Sequence, residues 1–219
     1  MRGWLIILIT MLLTACSSTP TSNQQSQSYE PQIGNIGNRA EVFIQAGHEG
    51  RSSGKIGASS IYGREIDWTP IVADAATRHL RQAGISVIRA DANWKPKTHT
   101  TLALFIHFDG IAGDPCRTGA SVGYDDSSDR PAALAWKRLY SSYFPYNWRT
   151  DNFTRNLSRY YMFKRTRTKD AELVLELGAI GCRKQALWIK PRLEKIGQLI
   201  AYFAAQRLGK GNRIQKPRL

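Results

Sequence analysis

Short apolar runs alternate with segments of helical spacing along most of the chain. Four runs are mostly apolar and short, which is typical of buried strands. They are Glu41–Ala46, Ile85–Ala90, Thr101–Phe108 and Ala171–Leu177. Because strands that alternate with helices usually form a parallel sheet, the pattern predicts an α/β fold in a single domain, with a mainly parallel twisted sheet flanked by helices.

Segments between and after these runs have the apolar spacing of amphipathic helices. The predicted helices are Glu65–Ala83, Asp129 to about Tyr143, Asn152–Phe163 and Pro191–Leu208. Pro70 fits only near a first turn, so the first helix is expected to begin around Trp68–Thr69. Asp129 is expected to cap the second helix, because Pro131 follows it closely. The predicted loops include Gly47–Gly63, Lys164–Lys169 and Gly178–Ile189.

The N-terminal residues have the pattern of an export signal. Arg2 is basic, and the apolar stretch Trp4–Leu13 that follows is too short to span a bilayer. Leu13-Thr14-Ala15-Cys16 resembles a bacterial lipobox, in which small residues precede a cysteine that becomes lipidated. The sequence therefore predicts a lipoprotein signal peptide over 1–15 and a lipid anchor on Cys16. An ordinary signal peptide that ends near Ala15 is the alternative.

The composition changes abruptly after the predicted signal peptide. Residues 16–39 are rich in Ser, Gln, Pro and Gly, which predicts a flexible tether that buries little apolar surface. The folded domain is expected over 40–209, followed by a basic tail over 210–219. In Gram-negative lipoproteins, Ser17 after the cysteine, in place of an aspartate, favours the outer membrane. We therefore expect the protein in the cell envelope, on the periplasmic side.

Basic residues outnumber acidic ones by 31 to 17, which gives a formal net charge of +14. This balance favours a polyanionic partner, which could be nucleic acid, an anionic membrane face or an acidic cell-wall polymer. Export from the cytoplasm argues against nucleic acid. One basic stretch consists of Arg149, Arg155, Arg159, Lys164, Arg165, Arg167 and Lys169. It is either a surface that attracts cell-wall carboxylates or anionic lipid, or simply a solvated face.

Two cysteines remain in the predicted domain, Cys116 and Cys182. In an exported protein, such a pair is a candidate disulfide. A bond that closes a loop of about 65 residues stabilises the folded chain by roughly 4 kcal/mol in the chain-entropy model. Two unpaired thiols are the alternative.

Two histidines and two glutamates occupy matching places in the predicted fold. His48 and His107 follow or end predicted strands, Glu176 lies near the end of another, and Glu65 opens the first helix. The carboxyl ends of parallel strands share one edge of a sheet, so these side chains could meet there. Imidazole nitrogen and carboxylate oxygen suit a catalytic zinc with one open position. His48, Glu65 and His107 would hold the metal, and Glu176 would handle protons.

Each of these residues also has a simpler interpretation. His48 could be a turn or core histidine with a satisfied hydrogen bond. Glu65 could be an acid that faces the positive end of the helix dipole. Glu176 could pair with an arginine.

Five segments in register resemble the zinc-dependent N-acetylmuramoyl-L-alanine amidases of the amidase-3 type. In chain order, they are Ala46-Gly47-His48-Glu49-Gly50 for the GHGG motif, Gly63-Arg64-Glu65, Gln82-Ala83-Gly84-Ile85-Ser86-Val87, Phe105-Ile106-His107-Phe108-Asp109 for SIHxN, and Leu175-Glu176-Leu177-Gly178-Ala179 for VELGF. The resemblance covers about Glu41 to Leu208. It implies a phosphorylase/hydrolase-like fold, zinc (Zn2+) ligands at His48, Glu65 and His107, and a catalytic glutamate at Glu176.

The chain departs from the family pattern at several points. Glu49 replaces the second glycine of GHGG, and Asp109 replaces the asparagine of SIHxN. The segment Asp91–His99 is contracted, and the two cysteines are additional. We expect Glu49 and Asp109 to lie near the metal ligands and to raise the pKa of Glu176 by like-charge repulsion.

The resemblance implies hydrolysis of the amide between N-acetylmuramic acid and the L-alanine of peptidoglycan. The expected partners are a peptidoglycan substrate and a membrane, reached through the lipid anchor; a protein activator is compatible with this interpretation. Two alternatives remain. One is a non-catalytic peptidoglycan-binding envelope lipoprotein that retains the fold, and the other is a zinc hydrolase of a different amide or ester.

Overall fold

The computed structural model describes residues 38–52, 54–110 and 113–219. The predicted signal peptide over 1–15, Cys16 and nearly all of the predicted tether over 16–39 lie outside these residues. Within the described ranges, no helix is long and apolar enough to cross a membrane.

Strands and helices alternate along the described chain. In chain order, they are β1 (Val42–Ala46), β2 (Ser59–Ser60), β3 (Gly63–Arg64), α1 (Glu65–Gln82), β4 (Val87–Ala90), β5 (Thr98–Asp109), β6 (Ala120–Gly123), α2 (Arg130–Ser141), α3 (Arg155–Ser158), β7 (Thr166–Ala179), α4 (Arg183–Ile189) and α5 (Leu193–Arg207). Five of the strands form the central sheet in the order β4-β1-β5-β7-β6. All pairs in it are parallel except β6 with β7, so the prediction of a mainly parallel α/β sheet is confirmed.

The strand register brings the predicted site to one edge of the sheet. Ala46 at the end of β1 pairs with Ile106, and His107 on β5 pairs directly with Glu176 on β7. Side chains of directly paired residues project from the same face of a sheet. His107 and Glu176 therefore lie side by side, just beyond the end of β1.

Both faces of the sheet are covered by apolar side chains. On one face, Ile44 and Leu104 pack in a cluster with α1 and α5. On the other, Phe43 and Phe105 pack with residues that follow α3, among them Phe163. The apolar run in β5 is therefore buried on both sides, as expected for a central parallel strand.

Helix α1 begins earlier than predicted. It starts at Glu65 rather than around Trp68–Thr69, and Pro70 lies inside it. The backbone N–H of Glu65 donates to the carbonyl of Ala58 (2.8 Å), and this bond anchors the first turn in the preceding loop. Pro70 lies in the second turn, where its missing N–H omits one helical hydrogen bond without ending the helix.

The predicted helix over Asn152–Phe163 is wrong. Only the four residues of α3 are α-helical there, and a short 3₁₀ turn follows at Tyr161–Lys164. Leu157, Met162 and Phe163 are buried against the sheet from this irregular segment. The spacing of these apolar residues therefore reflects their contact with the sheet and not one face of a helix.

All three predicted loops are partly regular structure, and Gly47–Gly63 contains β2 and the first residue of β3. Most of Lys164–Lys169 belongs to β7, whose first residues pair with the start of β5. Their charged side chains lie on the exposed side of an extended strand, so the segment has the composition of a loop. Within Gly178–Ile189, the last residues form α4.

The C-terminal residues 210–219 pack on the domain. The chain leaves α5 at Gly209, which has a positive φ of 70°. Ile214 is buried, and the hydroxyl of Tyr143 donates to the carbonyl of Pro217 (2.9 Å).

Candidate metal centre

Three side chains from separate parts of the chain converge at the end of β1. Oε1 of Glu65 lies 2.8 Å from Nδ1 of His107 and 3.6 Å from Nε2 of His48. Glu65 and His107 are buried, and His48 is partly exposed. The structure therefore brings together the three predicted ligands, in a cluster that could hold a metal ion.

His48 is held by the loop that follows it. Its backbone has a positive φ of 62°, which is unusual for a residue other than glycine. Nδ1 lies 2.7 Å from the carbonyl of Lys55. A carbonyl only accepts, so Nδ1 carries a proton, and in the neutral ring Nε2 presents its lone pair toward Glu65.

Both carboxylate oxygens of Glu65 accept backbone hydrogen bonds. Oε2 accepts from the N–H of Ala58 (2.8 Å), and Oε1 accepts from the N–H of Phe108 (3.1 Å). Burial raises the pKa of Glu65, but the hydrogen bond from His107 and the nearby histidine charges outweigh it and leave the pKa lowered. Glu65 is therefore a negatively charged group inside the protein. The alternative of a helix-start acid is correct for its position in α1 but does not account for its two imidazole neighbours.

Two glycines make room for the cluster. A Cβ on Gly47 would lie 2.3 Å from Cε1 of His107, and one on Gly57 would lie 2.2 Å from Oε2 of Glu65. Gly57 also has a positive φ of 76°. The glycine-rich loop is thus required for close approach to the cluster.

The donor set fits zinc. Two imidazole nitrogens and one carboxylate oxygen are the usual ligands of a three-residue catalytic zinc site. The second nitrogen of each ring is hydrogen-bonded elsewhere, His48 to a carbonyl and His107 to the hydroxyl of Tyr160, as is usual for metal-binding histidines. These atoms face a cavity with a volume of about 600 Å³.

Glu176 lines the same cavity. Its Oε2 is buried and has no hydrogen-bond partner among the described residues. Burial raises the pKa of Glu176 well above its usual value, and the charges of Glu65 and Asp109 raise it further. The alternative, in which Glu176 pairs with an arginine, does not hold within 38–52, 54–110 and 113–219, since no ion pair involves Glu176 there.

The two departures from the family pattern have different surroundings. Asp109 lines the cavity, accepts a hydrogen bond from the hydroxyl of Thr118, and has a pKa raised by burial. Glu49 instead forms an ion pair with Arg89 (2.6 Å) on β4. Asp109 therefore raises the pKa of Glu176 as expected, whereas the other contributing acid is Glu65 rather than Glu49.

A disulfide and a glutamine hold the segment beside Asp109. Cys116 and Cys182 are bonded, with a sulfur–sulfur distance of 2.08 Å. Gln185 on α4 donates to the carbonyl of Thr118 (2.7 Å). Because the hydroxyl of Thr118 donates to Asp109, both connections stabilise one wall of the cavity.

Two residues at the site were not predicted from the sequence. Nε2 of His107 lies 2.9 Å from the hydroxyl of Tyr160, which donates to Oε1 of Gln45 (2.9 Å). Gln45 is a polar residue in the otherwise apolar run VFIQA, and this contrast is a signal that the sequence does contain. Tyr160 lies within Asn152–Phe163, the segment whose helix was wrongly predicted, and directly precedes its 3₁₀ turn.

Comparisons with known proteins identify the fold. No family model and no curated protein sequence matches the chain. Among solved structures, the chain is similar to the N-acetylmuramoyl-L-alanine amidase AmiC2 of Nostoc punctiforme, with 19% identity and a TM-score of 0.55 over 77% of this chain and 94% of that one. It is also similar to the catalytic domain of CwlV, an N-acetylmuramoyl-L-alanine amidase of Bacillus (Paenibacillus) polymyxa, with 20% identity and a TM-score of 0.56 over 77% and 97%.

A third similar structure is the CwlD amidase of Clostridioides difficile in complex with the GerS lipoprotein, with 14% identity and a TM-score of 0.60. The match covers 78% of this chain and 98% of that one. At these identities, the likeness is one of fold. The chain therefore has the α/β fold of the catalytic domains of N-acetylmuramoyl-L-alanine amidases.

Proposed function

We propose that the protein is a zinc-dependent N-acetylmuramoyl-L-alanine amidase, which hydrolyses the amide between N-acetylmuramic acid and L-alanine in peptidoglycan. The observation that carries this proposal is the convergence of His48, Glu65 and His107 beside Glu176, in a cavity of an amidase-like fold. A binding protein that only retained the fold would not need an intact ligand set with a buried acid next to it.

Zinc held by these three residues would act as a Lewis acid on the scissile carbonyl and would lower the pKa of a water molecule. Glu176 accepts a proton from the attacking water and passes it to the amine of the departing L-alanine. Its raised pKa means that the carboxyl holds a proton more readily than an exposed glutamate, which suits delivery of that proton to the leaving amine. Burial is the main cause of this raised pKa, and the charges of Glu65 and Asp109 add to it.

The cavity is suited to an anionic peptide. Arg51, Lys55 and Arg159 line it together with the catalytic groups. None of the three forms an ion pair with an acid of the described ranges. Stem peptides of peptidoglycan carry free carboxylates, so these cations would attract the peptide and place its first amide at the metal.

We also propose that the mature protein is anchored by a lipid on Cys16, on the periplasmic side of the outer membrane. The predicted tether over 16–39 would separate the anchor from the domain by roughly 25–30 Å if it is a flexible coil. That distance would let the domain reach peptidoglycan from the membrane surface.

The test is hydrolysis of purified peptidoglycan by the zinc-loaded protein, followed by release of stem peptides. We expect release by the wild-type protein, loss of release with a chelator, and recovery when zinc is restored. Glu176→Gln should lower the rate by about 10²–10⁴-fold while zinc remains bound. Glu172→Gln is the matched control, since this acid lies on the same strand but does not line the cavity.

No release by zinc-loaded wild-type protein that still binds peptidoglycan would overturn the enzymatic proposal in favour of the non-catalytic alternative. Release of other products, without free stem peptides, would favour a zinc hydrolase of a different bond. Full activity of Glu176→Gln would remove the role given to that residue.

A further inference from the structure

The hydroxyl of Tyr160 lies between a candidate metal ligand and a buried amide. It is 2.9 Å from Nε2 of His107 and 2.9 Å from Oε1 of Gln45. Gln45 is completely buried on β1, where an unpaired amide would be strongly destabilising. The hydrogen bonds around this amide therefore determine how it can be oriented.

Two backbone carbonyls set the direction of every hydrogen bond in this chain of contacts. Nε2 of Gln45 donates to the carbonyl of Asp91 (2.9 Å) and to the hydroxyl of Tyr161 (3.2 Å). The hydroxyl of Tyr161 donates in turn to the carbonyl of Ala92 (2.7 Å). Carbonyls only accept, so the amide nitrogen of Gln45 must face them, and its oxygen must face Tyr160.

The same logic extends to His107. An amide oxygen cannot donate, so Tyr160 gives its proton to Gln45 and can only accept from the imidazole. Nε2 of His107 must therefore carry a proton. In the neutral ring, the lone pair is then on Nδ1, the nitrogen 2.8 Å from Oε1 of Glu65.

A lone pair that faces a carboxylate oxygen at this distance is repulsive unless a proton or a cation lies between them. His48 has the equivalent arrangement, with its proton on Nδ1 toward the carbonyl of Lys55 and its Nε2 toward Glu65. When both rings are neutral, each therefore directs an unprotonated nitrogen toward the same carboxylate. A metal ion at this position relieves both contacts.

We infer that Tyr160 and Gln45 are positioning residues, which fix Nδ1 of His107 as the atom that binds the metal ion. This inference rests on the metal site of the proposed function. The ring of Tyr160 is itself packed against Phe105, His107 and Phe163, with ring centroids 5.1, 5.2 and 6.0 Å apart. The hydroxyl is therefore held in place by a rigid apolar surrounding.

The first test uses the wild-type protein with ¹⁵N-labelled histidine, loaded with zinc. Long-range ¹H–¹⁵N correlations distinguish a ring protonated on Nε2 from one protonated on Nδ1. We expect His107 to show a protonated Nε2 and a metal-bound Nδ1. Zinc on Nε2 would overturn the inference, and this measurement needs no variant.

The second test is Tyr160→Phe, which removes only the hydroxyl. We expect its zinc dissociation constant, measured by competition with a chelator, to rise about 10–100-fold. Tyr140→Phe is the matched control, because it also removes a buried tyrosine hydroxyl, which donates to the carbonyl of Leu177 (2.8 Å), but Tyr140 does not line the cavity. Unchanged zinc affinity in Tyr160→Phe, or an equal loss in Tyr140→Phe, would overturn the inference.

These measurements are made without peptidoglycan. A protein that binds zinc through Nδ1 of His107 but releases no stem peptides would contradict the proposed function and leave the role of Tyr160 standing. A protein that hydrolyses peptidoglycan with zinc on Nε2 of His107 would support the proposed function and contradict the role given to Tyr160.

Discussion

The carboxylate of Glu65 lies 2.8 Å from the imidazole of His107, although 42 positions separate the two residues in the sequence. Their approach depends on how α1 is fixed to the end of β1. The hydroxyl of Thr69, one turn into α1, donates to the carbonyl of Gly47 (2.6 Å). The start of the helix is therefore attached to the turn that carries His48.

Glu65→Gln should abolish tight zinc binding. The amide keeps the shape of the side chain but loses the charge that faces both imidazoles. We expect the zinc dissociation constant to rise by more than about 100-fold. This exceeds the effect of removing a group that only hydrogen-bonds to a metal ligand. Chelator competition measures it. Glu49→Gln is the control, because Glu49 neighbours His48 but pairs with Arg89. Equal losses in both variants would count against Glu65 as a ligand.

Gly57→Ala should weaken zinc binding through a steric clash with Glu65. The added methyl would lie 2.2 Å from Oε2 of the carboxylate. Gly54 lies in the same loop with a φ of 85°, and a Cβ there would meet nothing within 4 Å. Gly54→Ala therefore shares the backbone strain of about 1 kcal/mol but not the clash. We expect reduced zinc affinity only in Gly57→Ala; similar affinities would show that the loop moves freely.

Removal of the disulfide should lower stability substantially. In the chain-entropy model, the bond between Cys116 and Cys182 contributes roughly 4 kcal/mol to the free energy of unfolding. The double variant Cys116→Ser/Cys182→Ser should show that loss in urea unfolding, and the reduced wild-type protein should match it. Unfolding midpoints that do not differ between oxidised and reduced protein would contradict this prediction.

The stability of the domain should fall as the pH rises from about 4.5 to 8. Burial raises the pKa of Glu172 from 4.5 to about 8 and that of Asp129 from 3.8 to about 6. Asp129 occupies the predicted cap position of α2, but its side chain makes no capping hydrogen bond there. Both groups bind a proton more tightly in the folded than in the unfolded chain, so their ionisation at higher pH favours unfolding.

Glu172→Gln should remove most of this pH dependence. Above pH 8, we expect the variant to be more stable than wild type by about 1–2 kcal/mol. This is less than the whole pKa shift of Glu172 would give, because its side chain is partly exposed and solvent screens the charge. The difference should vanish below pH 4.5. Thermal unfolding across this range measures it, with Glu194→Gln, an exposed acid on α5, as the control. A constant difference at all pH values would indicate a packing effect.

Binding to isolated cell walls should weaken as salt is added. The seven residues of the basic stretch form no ion pair with acids of the described ranges, so their charges are available to an anionic polymer. Screening should lower binding by about tenfold between about 0.05 M and about 0.5 M salt. A pull-down assay measures it. Arg155→Gln should weaken binding at low salt, whereas Arg207→Gln, an arginine paired with Asp170, should not. Cell-wall binding that does not change with salt concentration would exclude the basic stretch as the binding surface.

The sequence was most informative where function depends on strand ends. His107 and Glu176 were predicted as neighbours because parallel strands end at one edge, and their direct pairing follows from that topology. Contacts made by turns were not predictable in the same way. His48 has a positive φ, and the next side chain, Glu49, pairs with Arg89; no local pattern in the sequence encodes that pairing. Tyr160 reaches His107 through an irregular segment whose apolar spacing imitates a helix.

The order of the strands also protects the sheet against pairing with other chains. The long strands, β5 and β7, are interior, and the two edges, β4 and β6, have four residues each. The outer side of β6 is bonded to the backbone of 147–152 by contacts that include Arg149 N–H to the Ala120 carbonyl (2.8 Å). Exposed strand edges are templates for aggregation. This domain offers little such edge, because its long strands are paired on both sides and β6 is covered on its outer side.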